Sequence, residues 1–269
     1  MNNKPLPLVS IIIPCYNQGK ILLETVESAL NQNYKPVEII VINDGSTDLE
    51  TLETLKNLPA SVKQITIENS GPSVARNIAV RQSKGKYIVP LDADDLIENK
   101  TLMVCIPILE SNASVAVVYG DNQKFGAEEG VIKQSHFSAR TILLFNSIAF
   151  CTVIRKDAYI KVGGLDEWMS KRGLEDWELW IRLNEAGWLF HHVDELFFKI
   201  RVQFTSRTYL EANKNLEELK KYVWNKHSAS LAKQYELMYH DCKNLPQSLD
   251  YRLGRFVLSL IRKFKKLLN

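Results

Sequence analysis

The chain has 269 residues, 45% hydrophobic and 24% charged, with a formal net charge of +3. These values suit one large folded domain with an appendage and exclude a disordered or low-complexity chain. No apolar run approaches the ~18 residues that cross a bilayer, and the start of the chain, Met1 to Pro7, has no signal-peptide h-region. Four cysteines without Cys-x-x-Cys spacing read as reduced, buried thiols, so a cytoplasmic location is expected and no nucleic-acid partner is implied.

Short apolar runs alternate with amphipathic segments through the first half, the pattern of a parallel α/β sheet. Leu8–Ile13 reads as a first strand and Lys20–Asn31 as a helix. Val37–Ile42 is a second strand, followed by a helix over Leu49–Leu58 capped by Ser46, Thr47 or Asp48. Val62–Ile67 is a third strand and Pro72–Ser83 a helix with proline in its first turn. Lys86–Leu91 is a fourth strand, Val115–Tyr119 a later one, and Phe150–Arg155 another after irregular sequence. Helical spacing returns at Asp176–Ala186 and dominates from about Tyr209.

The fourth strand runs directly into Leu91-Asp92-Ala93-Asp94-Asp95. Three clustered carboxylates repel one another unless a cation or hydrogen-bond donors compensate. Hard divalent ions such as Mg²⁺ or Mn²⁺ take oxygen ligands and complete their shell with phosphates. A metal–diphosphate site is one reading, and a solvated acidic turn ahead of a helix is the other. In open parallel sheets, ligands bind at the carboxyl ends of the strands. Pro14-Cys15-Tyr16-Asn17 follows the first strand and Asn43-Asp44-Gly45-Ser46 the second, so three polar strand ends meet on one edge. The first turn lacks Gly-x-Gly-x-x-Gly, and no Gly-x-x-x-x-Gly-Lys-[Ser/Thr] loop is present, which argues against dinucleotide and P-loop sites. An aromatic, carboxylates and a metal suit a base, a ribose and a diphosphate in a row.

Leu8–Asn17, Glu38–Asp48, Asn69–Asn77, Gly85–Asp95, Gly163–Glu167 and Gly173–Arg182, in this order, resemble the family 2 glycosyltransferases. The resemblance covers residues ~8 to ~205. It implies a GT-A-type α/β fold, with a mostly parallel central sheet flanked by helices and a C-terminal helical extension. The expected division is a catalytic domain over residues 1–205, its donor side about 1–110 and its acceptor side about 111–205, with the extension over 206–269. By the same resemblance, Asp44 accepts a hydrogen bond from the base, Pro14 and Tyr16 pack around it, and Ser46 and Arg76 are further nucleotide contacts. Asp92 would bind the ribose, Asp94 would ligate Mn²⁺ or Mg²⁺, and Asp95 would support the turn. Asp176 would be the general base of an inverting transfer, set among Trp168, Trp177 and Trp180. Turn formation at Asp44-Gly45, a surface role for Arg76 and helix capping by Glu175-Asp176 are the bland counterparts.

One position departs from the family pattern. A histidine often follows the last sheet strand near the diphosphate, and here Phe198-Lys199-Ile200-Arg201-Val202-Gln203 places Gln203 there. Gln offers no imidazole ligand, while Arg201 remains as a cation for the diphosphate. His191 and His192 are substitute ligands in principle, but neighbours on a strand face opposite ways. The resemblance implies a nucleotide-sugar donor, most naturally a UDP-sugar, and a hydroxyl acceptor on a glycan or lipid-linked saccharide. A metal-dependent nucleotidyl or phosphoryl transferase and a non-catalytic nucleotide-sugar-binding module are the alternatives. From Tyr251 to Asn269 there are six Lys/Arg and no acid. On a helix, Leu253, Phe256, Val257, Leu260, Ile261, Phe264, Leu267 and Leu268 form one face and the cations the other. Such a helix either lies on anionic lipid at the inner face of the plasma membrane or docks on the catalytic domain.

Overall fold

The computed structural model describes residues 5–203 and 216–243, with side chains to residue 240. A single sheet organises the first unit of the chain. Its strands are β1 (Val9–Cys15), β2 (Val37–Asp44), β3 (Val62–Ile67), β4 (Tyr87–Pro90), β5 (Leu96–Ile97), β6 (Val115–Gly126), β7 (Gly130–Ile132), β8 (Val153–Arg155) and β9 (Leu189–Val202). Their order is β3-β2-β1-β4-β8-β6-β9-β5, with β7 paired to β6. The first four strands run parallel; β8 is antiparallel to both β4 and β6, and β9 runs parallel to β6. The sheet is therefore mostly parallel, as the sequence suggests, with β5, β7 and β8 reversed.

Helices α1 (Ile21–Leu30), α2 (Leu49–Lys56), α3 (Pro72–Gln82), α4 (Thr101–Ser111), α5 (Lys156–Lys161) and α6 (Glu175–Glu185) connect these strands. β1 shows why the centre is dry: Val9, Ile11, Ile12 and Ile13 are all essentially inaccessible, the continuous apolar run of a strand covered on both faces. The chain winds outward from β1 to β2 and β3, then returns to place β4 on the other side of β1. That reversal is a topological switch point, and the loops after β1 and β4 flank it.

The expected early elements are found with ends shifted by at most two residues, and the third strand matches at both ends. Two segments differ more. β6 runs on seven residues past Tyr119 to Gly126, and the strand expected from Phe150 begins only at Val153. Helix α4 escaped the reading because Leu102, Val104, Cys105, Ile106, Ile108 and Leu109 surround it with apolar groups, leaving no one-sided stripe.

The second unit opens at Leu216. It contains α7 (Leu216–Lys226) and α8 (Ser228–Lys243). Glu217 and Glu218 in the first turn of α7 and Lys226 in its last suit the helix dipole. The basic segment 251–269 lies outside the described residues. Among the described residues no helix is long and apolar enough to cross a membrane.

Candidate active site

The loops after β1 and β2 are locked together by side-chain amides. Asn17, at φ +53°, accepts hydrogen bonds at Oδ1 from Thr47 N (2.8 Å) and Asp48 N (3.3 Å), and its own N–H donates to Ser46 Oγ (3.1 Å). Asn43 Oδ1 accepts from Ser46 N at 2.9 Å. Ser46 is thus buried and engaged within the loop. Tyr16, directly after β1, is 47% exposed, and Pro14 is half-buried.

Asp44 is buried at the end of β2. Its two carboxylate oxygens accept from Ser70 N (2.7 Å) and Gly71 N (2.8 Å), the amides that lead into α3. Gly45, at φ +71°, makes the turn possible, since a Cβ there would stand 2.7 Å from Asn69 N. Both readings of Asp44 therefore stay compatible: it organises the turn, and each oxygen keeps a lone pair for a base N–H.

Arg76 departs from the surface setting that is its bland counterpart. It is 5% exposed, so it is no surface residue, and its guanidinium joins Asp92 to Glu175. The Glu175 contact measures 3.4 Å, and the guanidinium carbon sits 4.8 Å from the Phe150 ring centroid. One cation thus ties the end of β4 to the start of α6.

After β4 the chain turns tightly, with Asp95 N donating to Asp92 O at 3.1 Å. Asp95 is buried and accepts Arg201 N at 2.8 Å, so it supports the turn and clamps β9 to it. Burial, then Asp92 and Asp94, hold its carboxyl well above the usual carboxylate range. Asp94 is half-buried, and burial followed by repulsion from Asp92 pushes its carboxyl up to about 6. Arg201 reaches the Asp94 backbone oxygen (3.0 Å) and Glu24 (2.7 Å) and lies over the Phe125 ring, so its charge is already placed beside the acidic turn. Gln203 follows β9 immediately, two residues beyond Arg201.

Asp176 stands in the first turn of α6. Gly173 at φ +104° and Leu174 at φ +62° turn the chain into that helix. A left-handed conformation costs a residue with a Cβ roughly 1–2 kcal/mol, and here it sets the direction of Glu175-Asp176. Asn146 Nδ2 donates to one oxygen of Asp176 at 2.7 Å, and Trp177 N to the other at 2.7 Å. Burial first, then Glu175, raises the Asp176 carboxyl to about 6. Trp177 and Trp180 are buried and donate their ring N–H groups to Ile142 O and Ile148 O, fixing the segment that carries Asn146. Trp168 is instead 42% exposed, with Arg172 stacked on it, away from the role expected of it. Beside Asn146 lies an open depression of about 330 Å³ lined by residues 132–135 and 145–149.

The sequence reading missed Asn17, Asn43 and Asn146. The first two carried a legible signal as polar residues at strand ends, whereas Asn146 sits in a stretch without periodicity. His192 lies elsewhere from the acidic turn: its ring approaches Tyr119, His136, Asp121 and Asp194.

Residues 10–163 match the family described as "Glycosyl transferase family 2". The chain is 30% identical to an Escherichia coli chondroitin synthase over 257 residues, covering 83% of this chain and 37% of that protein. It is 30% identical to a Pasteurella multocida hyaluronan synthase, covering 72% of this chain and 20% of the relative. It is also 32% identical to an uncharacterized glycosyltransferase of Rickettsia prowazekii, covering 86% of this chain and 75% of the relative. The chain thus spans about a fifth to just over a third of the polysaccharide synthases it matches. Among solved structures, S. aureus TarS residues 1–349 in complex with UDP-GlcNAc superposes with a TM-score of 0.66 at 17% identity, covering 80% of this chain and 65% of that one. The fold is accordingly that of the GT-A glycosyltransferases. Of the three activities considered above, sugar transfer is the one these relatives share. With more than half of its length inside the family match, the chain belongs to the family 2 glycosyltransferases.

Proposed function

We propose that this glycosyltransferase is inverting and metal-dependent, moving a sugar from a UDP-sugar to a hydroxyl of a growing glycan or lipid-linked saccharide. The observation that carries the reading is a pair of perturbed carboxylates at the two ends of the Asp92–Arg76–Glu175 bridge. Asp94, raised to about 6, ends the donor-side turn, and Asp176, also raised to about 6, is held by Asn146 beside the open depression. The TarS complex with UDP-GlcNAc and the chondroitin and hyaluronan synthases support the donor class and the polysaccharide setting.

In this reading Tyr16 and Pro14 stack on the uracil while Asp44 accepts its imide N–H, and Asp92 holds the ribose. The residues at the acidic turn fit a divalent cation. Asp94 and Asp92 repel each other, and Arg201 meets the backbone oxygen of Asp94 while leaving its carboxylate available. Mn²⁺ or Mg²⁺ held by the Asp94 carboxylate would neutralise charge on the departing diphosphate. Arg201 supplies a second positive charge there, and Gln203 leaves Asp94 without an imidazole partner at the end of β9. The acceptor hydroxyl enters from the depression, whose exposed Phe145 offers an apolar face to a sugar ring. Asp176 takes the hydroxyl proton as the oxygen attacks the anomeric carbon. The bond from that carbon to the β-phosphate oxygen breaks, and UDP leaves with the electron pair. A single protein acid–base group suffices, because the leaving group needs no proton.

The test is isothermal titration of UDP with and without Mn²⁺, together with product analysis on a UDP-sugar panel. Asp94→Ala should lose the Mn²⁺-dependent gain in UDP affinity, and turnover should release UDP. Unchanged Mn²⁺ dependence in the variant, or release of UMP and a sugar phosphate, would refute the reading. The protein would work in the cytoplasm at the inner face of the plasma membrane, anchored by its basic 251–269 segment. Truncation before Tyr251 should then abolish binding to anionic liposomes while sparing transfer to a soluble acceptor. Vesicle binding that survives truncation would remove that segment as the anchor.

A further inference from the structure

A second cluster of metal-binding side chains lies at the start of β9. Donor atoms of His136, His192 and Asp194 all fall within 4.8 Å of one another. The two imidazoles meet edge to face, with centroids 5.0 Å apart. The His192 side chain is only 3% exposed, yet neither of its ring nitrogens has a hydrogen-bond partner. Two buried imidazole nitrogens without partners are costly, and such a group calls for an explanation.

We propose that His136, His192 and Asp194 form a binding site for a divalent ion of the zinc class. The arrangement has the parts such a site needs. His192 Nε2 lies 3.7 Å from buried Asp121, whose oxygens accept hydrogen bonds from Lys133 Nζ and, at 2.9 Å, from Gln134 N. Held in this way, Asp121 is placed to orient a ligating imidazole through its second nitrogen once a small shift brings the two within hydrogen-bond distance. The other nitrogen, Nδ1, faces Asp194 at 3.8 Å, and the Asp194 side chain is 82% exposed. Two nitrogens and one carboxylate, with water in the fourth position, match the donor preference of Zn²⁺. Ligands bound to one Zn²⁺ stand roughly 3.3 Å apart, given bond lengths of about 2.0 Å and tetrahedral geometry. Rotation of the exposed His136 and Asp194 closes the gap, while the buried His192 stays in place.

This site is distinct from the acidic turn after β4. His192 pairs with Tyr119, and Arg201, which touches Asp94, pairs with Phe125. Six residues of β6 separate those two registers, or about 20 Å along the strand. An ion at His192 would therefore tie β9 to the segment after β7, whose residues Lys133 to Ser135 wall the depression beside Asn146.

The test titrates zinc chloride alone into the untagged full-length protein by calorimetry, with thermal melting alongside. One tight site per chain is expected, and His136→Ala and Asp194→Ala, both at exposed positions, should each weaken it at least tenfold without lowering the melting temperature of the metal-free protein. Asp94→Ala should leave zinc affinity unchanged. Zinc affinity equal in wild type and in the His136→Ala/Asp194→Ala double variant would overturn the proposal, as would its loss in Asp94→Ala alone.

Discussion

Two halves of one sheet hold their functional carboxylates in different ways. On the β1–β4 side, backbone groups do the holding: Asp44 accepts two successive amides ahead of α3, and Asn17 and Asn43 pin main-chain amides of the loop after β2. On the β6–β9 side, long-range side chains take over. Asp176 depends on Asn146, thirty residues away, and that segment depends on the ring N–H groups of Trp177 and Trp180. A carboxylate held by main-chain amides keeps those donors whatever side chains surround it, whereas one held partly by a side-chain amide can be retuned by a single substitution. The first arrangement suits a constant group such as a nucleotide, and the second suits an acceptor that differs between relatives.

The sharpest way to break this comparison is Asp176→Asn. The substitution keeps the hydrogen-bonding shape and removes the base, so transfer should fall by ~10²–10⁴-fold. UDP affinity should not move if the donor side stands alone. UDP-release kinetics and calorimetry on the same variant measure both, and equal losses in the two would mean that the halves are one site energetically.

Arg76 is where the halves join, and Arg76→Leu should cost stability as well as activity. It would leave Glu175 buried without this cation, and Asp92 unpaired at 47% exposure. Loss of one partner from a buried pair costs roughly 3 kcal/mol at the low end of its range, appropriate where one carboxylate keeps water. Arg81→Ala, on the same helix, removes only an exposed 4.0 Å contact with Glu167 and should cost under about 0.5 kcal/mol. Urea midpoints that shift equally for the two variants would deny Arg76 its joining role.

What the sequence made legible follows the same division. Asp44, Asp92 and Asp94 announce themselves because a strand end is a local event: an apolar run stops and polar residues begin. Arg76 was readable as a charge on a helix but not as a buried one, since its burial comes from packing the first turns of α3 against the start of α6. Asn146 and the fourteen-residue β9 were hidden for a related reason. Asn146 acquires meaning only from Asp176, and β9 alternates incompletely because much of it is half-exposed on both faces. The turn into α6 escaped notice because its second left-handed residue is Leu174, a type that carries no turn signal.

Acidity offers a gentler probe that addresses both halves at once. Asp94 and Asp176 both titrate near 6 and must both be ionised, one to bind the cation and the other to accept a proton. At limiting metal, kcat/KM should therefore fall about 100-fold between its plateau and pH 5, with a limiting slope of two. Saturating Mn²⁺ displaces the proton from Asp94, leaving one group and a fall of about tenfold. A slope that ignores metal concentration would detach Asp94 from the ion.

Asn146→Ala sharpens the comparison most finely, because it alters the acceptor-side carboxylate without removing it. The amide hydrogen bond favours the ionised form, so deleting it should raise the Asp176 pKa further above 6. Hydrogen bonds to charged groups contribute about 1.5–3 kcal/mol, and 1.36 kcal/mol corresponds to one pKa unit. Water entering the open depression will replace part of the lost bond, which sets the expected displacement of the acid limb at about one unit. Near pH 6 the rate should then fall by several-fold, while at pH 8 it should approach that of the wild type, because Asp176 is ionised there in either protein. A uniform loss at every pH would mean that Asn146 positions the acceptor or the segment rather than setting the proton affinity of the base. A pH–rate profile at saturating Mn²⁺ distinguishes the two, since under that condition Asp94 no longer contributes to the limb.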